Sequence, residues 1–321
     1  WGGNLPVGNN DEVAGAVCTM TEPTQKTEQT AQTTAVPTVA LRAGAEGHAI
    51  EMPQLGFGVW QVDDAAAEDA VAEALRVGYR SVDTARIYGN EEGVGRALAA
   101  AGTDDDVFLT TKVWNDDHGF ESTLAAFDAS QQRLGRAIDL YLIHWPAPGT
   151  GDFVGTYRAL QQLRAEGKVR AIGVCNFDID HLEQLHAAVG EYPAINQVEL
   201  HPNFQQKQLR AFHEEHGIVT EAWSPLGQGG DILSDATITD IASQYGVTAA
   251  QVVLRWHLQQ GRQVIPKSVT PARIAENFDV FDIELSETEL AAIDGLDTGK
   301  RGGPEPEDIT LESFGREIPE A

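Results

Sequence analysis

The chain has 321 residues, 42% of them hydrophobic, so it is long enough to bury a full core in one large domain or two small ones. Its 49 acidic residues outnumber its 22 basic ones, and the formal net charge of −27 disfavours binding to nucleic acid or to an anionic membrane surface. The apolar runs are strand-sized, no signal-peptide pattern is present, and two cysteines, Cys18 and Cys175, provide no disulfide framework. We therefore expect a cytoplasmic protein.

The acidic composition has two explanations that the sequence leaves open. Only six residues are lysines, which is typical of a surface adapted to high salt. An acidic soluble protein encoded by a GC-rich genome would have a similar composition. The first explanation predicts a halophilic protein, and the second predicts no dependence on salt.

The chain divides by composition into three segments. Residues 1–36 are rich in Thr, Gln, Gly and Asn without apolar periodicity, so we expect a disordered tail. The first methionine is Met20, and we expect a chain that starts there to keep its activity. Residues 37–300 have the pattern of a folded domain, which opens with a small β-hairpin at 38–53 around a Gly44/Gly47 turn, and residues 301–321 form a polar C-terminal tail.

Strands and helices alternate after the hairpin. Apolar strands are predicted at 55–60, 79–84, 107–113, 138–144, 171–176, 194–200, 219–224 and 263–267. Amphipathic helices are predicted near 65–77, 91–100, 120–134, 153–166, 180–188, 206–215, 237–259 and 271–278. Eight such units with short connections predict an α/β fold in which parallel strands close into a (β/α)₈ TIM barrel. An open doubly wound sheet is disfavoured because no G-x-G-x-x-G fingerprint follows any of these strands.

Polar side chains stand where the predicted strands end, which is where such barrels hold their chemistry. Asp83 ends the second strand and Tyr88 lies in the loop beyond it. Lys112 lies near the end of the third strand and His144 at the end of the fourth. Taken singly, each has an ordinary structural explanation, but together they converge on one mouth of the barrel.

Several motifs resemble the aldo-keto reductase superfamily, and most of all the bacterial 2,5-diketo-D-gluconate reductase group. The resemblance runs from about residue 39 to about residue 297. It is carried, in order, by GYRSVDTARIYGNEEGVG, TTKVWN, DLYLIHWP, GVCNF, NQVELHP, WSPLGQG and IPKSVTPARIAENFDVF. It implies NADPH-dependent reduction of aldehydes or ketones, including keto-sugars such as 2,5-diketo-D-gluconate, by a monomer.

The resemblance also implies a role for each matching residue. The catalytic tetrad would be Asp83, Tyr88, Lys112 and His144. Asn176 and Gln197 would bind the nicotinamide carboxamide, and Trp223 would stack on the ring. The remaining cofactor contacts would come from Ser224, Leu226, Gly227, Lys267, Ser268, Arg273, Glu276 and Asn277. No metal site is implied.

The residue types suit carbonyl reduction on chemical grounds. Hydride transfer to a carbonyl carbon leaves an alkoxide that must be protonated, and a phenol is a weak acid at neutral pH unless its anion is stabilised. Lys112 would lower the pKa of Tyr88, and Asp83 would hold the ammonium charged. His144 would donate a hydrogen bond to the carbonyl oxygen.

The binding residues allow two further expectations. Lys267 and Arg273 flank a predicted helix start, which favours a phosphate and therefore NADPH over NADH. Trp60, Trp114, Trp145 and also Phe57 would line an apolar mouth for a small carbonyl substrate, although packing at the barrel rim would explain each one equally well.

Two departures from the family pattern weaken particular contacts. Cys175 stands where many members have Ser, so one hydrogen bond to the carboxamide would be weaker. Thr270 stands where the closest relatives commonly have a second basic residue, so binding of a 2′-phosphate would be weaker.

Two alternatives come from other functional classes. A nucleotide-binding sensor or regulatory subunit could keep the cofactor residues but would not need all four residues of the tetrad. A metal-dependent hydrolase could use His144 and His201, but Lys112 would repel a divalent ion there.

Overall fold

The computed structural model describes residues 36–42, 49–102, 106–311 and 313. The predicted disordered tail up to residue 35, the Gly44/Gly47 turn and most of residues 312–321 lie outside the described residues. The strands in chain order are β1 (Thr38–Arg42), β2 (Ala49–Pro53), β3 (Phe57–Gly58), β4 (Ser81–Asp83), β5 (Phe108–Val113), β6 (Leu140–Ile143), β7 (Ala171–Cys175), β8 (Ile195–Glu199), β9 (Val219–Trp223) and β10 (Gln263–Val264).

Strands β3 to β10 form one parallel sheet in sequence order. The sheet closes on itself, because a parallel bridge joins Leu55 to Val264 and the Gly56 N–H donates to the Val264 carbonyl at 2.8 Å. The predicted TIM barrel is therefore confirmed over the open doubly wound sheet.

The helices are α1 (Asp64–Val77), α2 (Glu91–Ala101), α3 (Phe120–Leu134), α4 (Phe153–Ala165), α5 (Ile179–Val189), α6 (Lys207–His216), α7 (Ala236–Tyr245), α8 (Ala249–Gln259), α9 (Pro271–Phe278) and α10 (Glu287–Asp294). Their apolar faces pack on the outer faces of the strands, in a cluster that includes Val82, Leu109 and Ile143. No helix in the described part of the chain has the length and apolar content needed to cross a membrane.

Two predicted helix assignments need correction. The single helix predicted at 237–259 is two helices, since Gly246 ends α7 with a φ of 67° and Thr248 begins α8 with a capping box to Gln251. Helix α10 was not predicted, although Ser286 and Glu289 form the same capping box at its start. In both places capping residues, rather than apolar periodicity, mark where a helix begins.

The predicted hairpin is confirmed, with β1 and β2 antiparallel from Thr38 opposite Pro53 to Arg42 opposite Ala49. Buried Leu41 and Met52 pack against the first residues of barrel strands, such as Phe108, Leu140 and Ile195. The hairpin therefore closes the N-terminal end of the barrel, and the opposite end remains as the mouth.

Helix α2 is held against its neighbours by two glycines. A Cβ atom at Gly93 would collide with the Asp64 carbonyl of α1, and one at Gly95 would lie 2.6 Å from the Leu134 carbonyl of α3. Just before α2, buried Asn90 donates to the carbonyls of Val59 and Val62 at 2.9 and 2.8 Å. These contacts fix the loop that leads from β4 into α2.

Candidate active site

The predicted catalytic residues meet at the mouth of the barrel. Asp83 ends β4, Lys112 lies near the end of β5, and His144 follows β6. Tyr88 lies in a short 3₁₀ turn, Arg86–Tyr88. Lys112 Nζ lies 5.1 Å from the centroid of the Tyr88 ring, and the Tyr88 and His144 rings meet edge-on at 5.6 Å. All four residues are therefore brought into one group, as predicted.

Lys112 is fully buried and held by two oxygen atoms. Its Nζ donates to Asp83 Oδ1 at 2.5 Å and to the Thr84 carbonyl at 2.9 Å. Burial acts to lower the pKa of Lys112, but the Asp83 carboxylate acts against it and the pKa is raised overall. The ammonium therefore remains charged at neutral pH.

Tyr88 is protonated at neutral pH. Burial raises the pKa of Tyr88, Lys112 acts to lower it, and the Asp83 carboxylate acts to raise it. The predicted influence of Lys112 has the expected direction, but the pKa of the phenol is raised overall because burial outweighs it. Tyr88 thus retains a proton to donate, beside a cation that would stabilise the phenolate.

His144 is neutral at physiological pH. Burial lowers the pKa of His144 well below its usual value, and the Lys112 ammonium lowers it further. Its ring also meets the Trp114 ring edge-on at 5.2 Å. A neutral imidazole carries one N–H group, so it can donate one hydrogen bond to a carbonyl oxygen.

The residues predicted to contact the nicotinamide lie on the next three strands. Asn176 follows β7 with a φ of 61°, and its side chain accepts from Trp223 Nε1 at 2.8 Å and donates to the His144 carbonyl at 3.0 Å. On β8, Gln197 Nε2 donates to Asp83 Oδ2 at 2.9 Å. Buried Cys175 packs inside the barrel beside them. These contacts place Trp223 and both amides directly next to the tetrad.

The loop after β9 contains Ser224, Leu226 and Gly227, which were predicted to bind the cofactor. Ser224 has a φ of 49° and its carbonyl accepts from the Gly227 N–H at 2.9 Å. Its hydroxyl oxygen accepts from the Gln228 side chain at 2.8 Å. Leu226 is partly buried against the main core. The loop therefore turns back tightly at the mouth.

A second group of predicted binding residues surrounds the start of α9. Lys267 and Arg273 are exposed, and neither forms an ion pair with any described residue. Ser268 and Asn277 are buried, whereas Glu276 accepts a hydrogen bond from Thr248 at 3.0 Å. Two uncompensated cations at a helix N-terminus fit the phosphate end of a dinucleotide.

The predicted substrate-pocket residues do not all lie together. Trp114 and Trp145 are buried in one cluster with Ala147 and Ile309, and Trp223 packs against it. Trp60 is 41% exposed and belongs to no such cluster. Phe57 is in the core between strands and helices, where its ring meets that of Tyr79, because its side chain points out of the barrel. Its predicted place in the mouth is therefore wrong.

The described part of the predicted C-terminal tail covers the mouth. We call residues 299–311 the C-terminal strap. Buried Glu199 at the end of β8 accepts from the N–H groups of Gly302 and Gly303 at 2.7 and 2.8 Å. Farther along, Ile309 is buried against Trp114 and Trp145. The strap thus forms part of the wall beside the tetrad.

Glu199 and a buried acid on the next strand, Glu221, were not identified from the sequence. Glu221 is on β9, paired in register with Gln197 of β8. Neither of its carboxylate oxygens has a hydrogen-bond partner among the described residues. An acidic residue at an inward position of a buried strand was the available signal.

Asp178, His181 and Glu307 are close enough together to suggest a metal site. His181 Nδ1, however, accepts from the Asp178 N–H at 3.2 Å within the capping box of α5. The other ring nitrogen, Nε2, faces Glu307 at 3.3 Å. His181 is explained as a helix-capping residue that also contacts the strap.

Comparisons with known proteins identify the family of the chain. The model of the aldo/keto reductase family matches residues 54–298. The methylglyoxal reductase DkgA of Yersinia pestis is 54% identical over 259 residues, covering 80% of this chain and 93% of the relative.

Solved structures agree as well. An aldo/keto reductase from Brucella melitensis is 53% identical with a TM-score of 0.77, covering 82% of this chain and 100% of that one. Gox0644, crystallised as a single-residue variant with NADPH, is 48% identical with a TM-score of 0.81, covering 86% and 100%. The chain therefore belongs to the aldo/keto reductase family, as its motifs predict.

Proposed function

We propose that this protein reduces small aldehydes and ketones to alcohols with NADPH, and that Tyr88 is the general acid. The observation that carries the proposal is the Lys112 ammonium, buried between the Asp83 carboxylate and the Tyr88 ring at the mouth of the barrel. A protonated phenol beside a fixed cation is suited to donating a proton to a developing alkoxide.

Each residue of the site has a separate role in the proposed reduction. NADPH supplies a hydride to the carbonyl carbon. The Tyr88 proton goes to the carbonyl oxygen, and the phenolate that remains is stabilised by Lys112. The neutral His144 ring donates a hydrogen bond that orients the carbonyl. Trp223, Asn176 and Gln197 would hold the nicotinamide, and Lys267 and Arg273 would hold the phosphate end.

The relatives support the cofactor and the substrate class. Gox0644 was crystallised with NADPH, and the Yersinia pestis relative is named for reduction of methylglyoxal, a small dicarbonyl compound. The Trp114 and Trp145 wall is apolar and sits beside His144, which suits compounds of that size. Methylglyoxal and 2,5-diketo-D-gluconate are therefore the first two substrates to test.

The test is Tyr88→Phe, which keeps the ring and removes the proposed donor. We expect kcat for methylglyoxal to fall by about 10²–10⁴-fold, the usual loss for a general acid, with NADPH affinity nearly unchanged. NADPH oxidation gives the rate, and fluorescence quenching gives the affinity. Tyr245→Phe is the matched control because its hydroxyl contacts Glu284 and Glu289, away from the tetrad. A Tyr88→Phe enzyme with close to the wild-type rate would refute the mechanism.

A further inference from the structure

Glu221 lies inside the barrel behind the tetrad. Its side chain alternates with that of Ala222, which packs on the helix side, so Glu221 points inward. The register places Gln197 beside it on β8 and Gln263 beside it on β10. Glu221 is fully buried, and Gln197 itself donates to Asp83 at 2.9 Å. One amide therefore separates Glu221 from the Asp83–Lys112 pair.

No cation of the described residues contacts Glu221 directly. The ammonium of Lys112 is already held by Asp83 and Thr84. Neither carboxylate oxygen of Glu221 meets a hydrogen-bond donor among the described residues, and neither the side-chain oxygen nor the nitrogen of Gln263 has a partner there either. A buried carboxyl group without a cation is more stable as the neutral acid.

We propose that Glu221 is a positioning residue of the reduction, and that its ionisation slows proton donation by Tyr88. In its neutral form it leaves the Lys112 ammonium to stabilise the Tyr88 phenolate. When ionised, it places a second negative charge beside Asp83, and that charge opposes phenolate formation. This inference rests on the proposed function, since it concerns the same proton transfer.

Glu221 is expected to change charge when the pH rises above neutral. The ionisable groups that face it are Asp83 on β4, Lys112 on β5 and Cys175 on β7. Burial and the Asp83 carboxylate raise the pKa of Glu221 to about 8, against the opposing effect of Lys112. Burial raises the pKa of Asp83 as well, although Lys112 contacts it directly and acts to lower it. Burial raises the pKa of the Cys175 thiol well above its usual value, and the pKa of Lys112 is also raised.

The direction of the pH effect follows from these charges. Cys175 stays a thiol and Lys112 stays charged while Glu221 loses its proton. Reduction should therefore slow as the pH rises through the pKa of Glu221, because the phenol becomes a weaker acid. A shift of about one unit in the pKa of Tyr88 corresponds to at most tenfold in rate, so we expect a fall of roughly three- to tenfold.

The test compares kcat at about pH 9.5 with kcat at about pH 6.5 within each variant, so that a uniform loss of activity cancels. The wild type should show the alkaline fall, Glu221→Gln should lose it, and Glu221→Asp should keep it because the acid is restored. Glu199→Gln is the matched control, since it removes another buried acid whose pKa is lowered. It should keep the fall. An alkaline fall that persists in Glu221→Gln would overturn the proposal.

Infrared difference spectra provide a measurement that needs no variant. A carboxylic-acid C=O band of the wild-type enzyme should disappear over the same pH range, and absence of such a band would overturn the proposal even if Glu221→Gln does not fold. A protein that reduces no carbonyl compound would instead refute the proposed function. A working reductase whose Glu221→Gln variant keeps the alkaline fall would refute only the role of Glu221.

Discussion

Asp83 and Glu221 are both buried inside the barrel, and burial raises the pKa of both carboxyl groups, but only Asp83 has a cation as a direct partner. Asp83 contacts the Lys112 ammonium directly and accepts from Gln197 as well. Glu221 has no such contact, and its pKa is raised to about 8. Since a buried carboxylate is costly without a partner, the acid that contacts Lys112 is the one whose ionised form is better stabilised.

At the same scale, Arg273 should decide the choice of cofactor. Arg273→Ala removes an exposed cation that has no ion-pair partner among the described residues, so we expect kcat/KM with NADPH to fall by about 10- to 100-fold through loss of a charge-assisted contact to the 2′-phosphate. The value with NADH should change little. Steady-state kinetics with both cofactors measures the effect.

Arg158→Ala is the control for Arg273→Ala. It removes the same charge from an exposed residue of α4, a helix that packs against α3 and α5 rather than against α9. It should leave both cofactors unaffected. Equal losses with NADPH and NADH in Arg273→Ala would mean that Arg273 contacts something other than the 2′-phosphate.

The grouping of the four residues proposed as the tetrad could be predicted because they lie at or near strand ends within specific motifs, and the closed sheet brings those ends together. Glu221 could not be predicted in the same way. Its protonation depends on which cations lie near it across the barrel, and Lys112 is 109 positions away in the chain, as the numbering shows. Spacing along the sequence does not reveal that Lys112 is already held by Asp83.

Among the elements, the C-terminal strap should depend on Glu199. Glu199→Gln keeps the shape of the side chain but weakens the charge-assisted hydrogen bonds to Gly302 and Gly303, which are worth about 1.5–3 kcal/mol each when an ion is involved. We expect KM for the carbonyl substrate to rise and limited proteolysis within the strap to become faster. Both can be measured on the same preparation.

Glu307→Gln tests whether any loss of charge on the strap would have the same effect. Glu307 is exposed and meets His181 at 3.3 Å, so its pair should contribute only about 0–1 kcal/mol. It should leave KM and proteolysis close to wild type. If Glu199→Gln also left both values unchanged, the strap would not be held by Glu199.

The break between α7 and α8 and the position of the strap were not predicted from the sequence, for two different reasons. The break at Gly246 and the capping box of Thr248 were visible, but the apolar periodicity across 237–259 hid them. The strap has no periodicity at all, and its main acceptor, Glu199, is more than a hundred positions earlier in the chain. Contacts between irregular backbone and a distant side chain leave no local pattern.

For the whole molecule, the net charge of −27 predicts a response to salt. Repulsion among 49 acidic residues destabilises the folded protein when screening is weak, and the Debye length shortens from about 10 Å at 0.1 M to about 3 Å at 1 M salt. We therefore expect the midpoint of thermal unfolding to rise by several degrees in molar KCl. A salt series followed by circular dichroism measures it.

Surface ion pairs respond to salt in the opposite direction to the net charge, because screening weakens attraction as well as repulsion. Pairs such as Arg96 with Asp64 and Glu68 are partly exposed, so salt should weaken them slightly. Sucrose at matched osmolality separates screening from preferential exclusion, because it carries no charge. A midpoint that does not change with KCl would contradict adaptation to high salt and leave a GC-rich genome as the explanation of the acidic composition.

The two glycines of α2 limit how this sequence can change while the site stays intact. Gly93 and Gly95 touch no part of the proposed reaction, and they lie where helix backbones meet on the outside of the barrel. Any side chain there would push α2 away from α1 and α3, and the loop that carries Tyr88 would move with it. A duplicated copy of the gene could therefore lose its chemistry through either position while it kept its fold, its intact tetrad and its affinity for nucleotide. Such a descendant would keep all four proposed catalytic residues and would act as a binding protein.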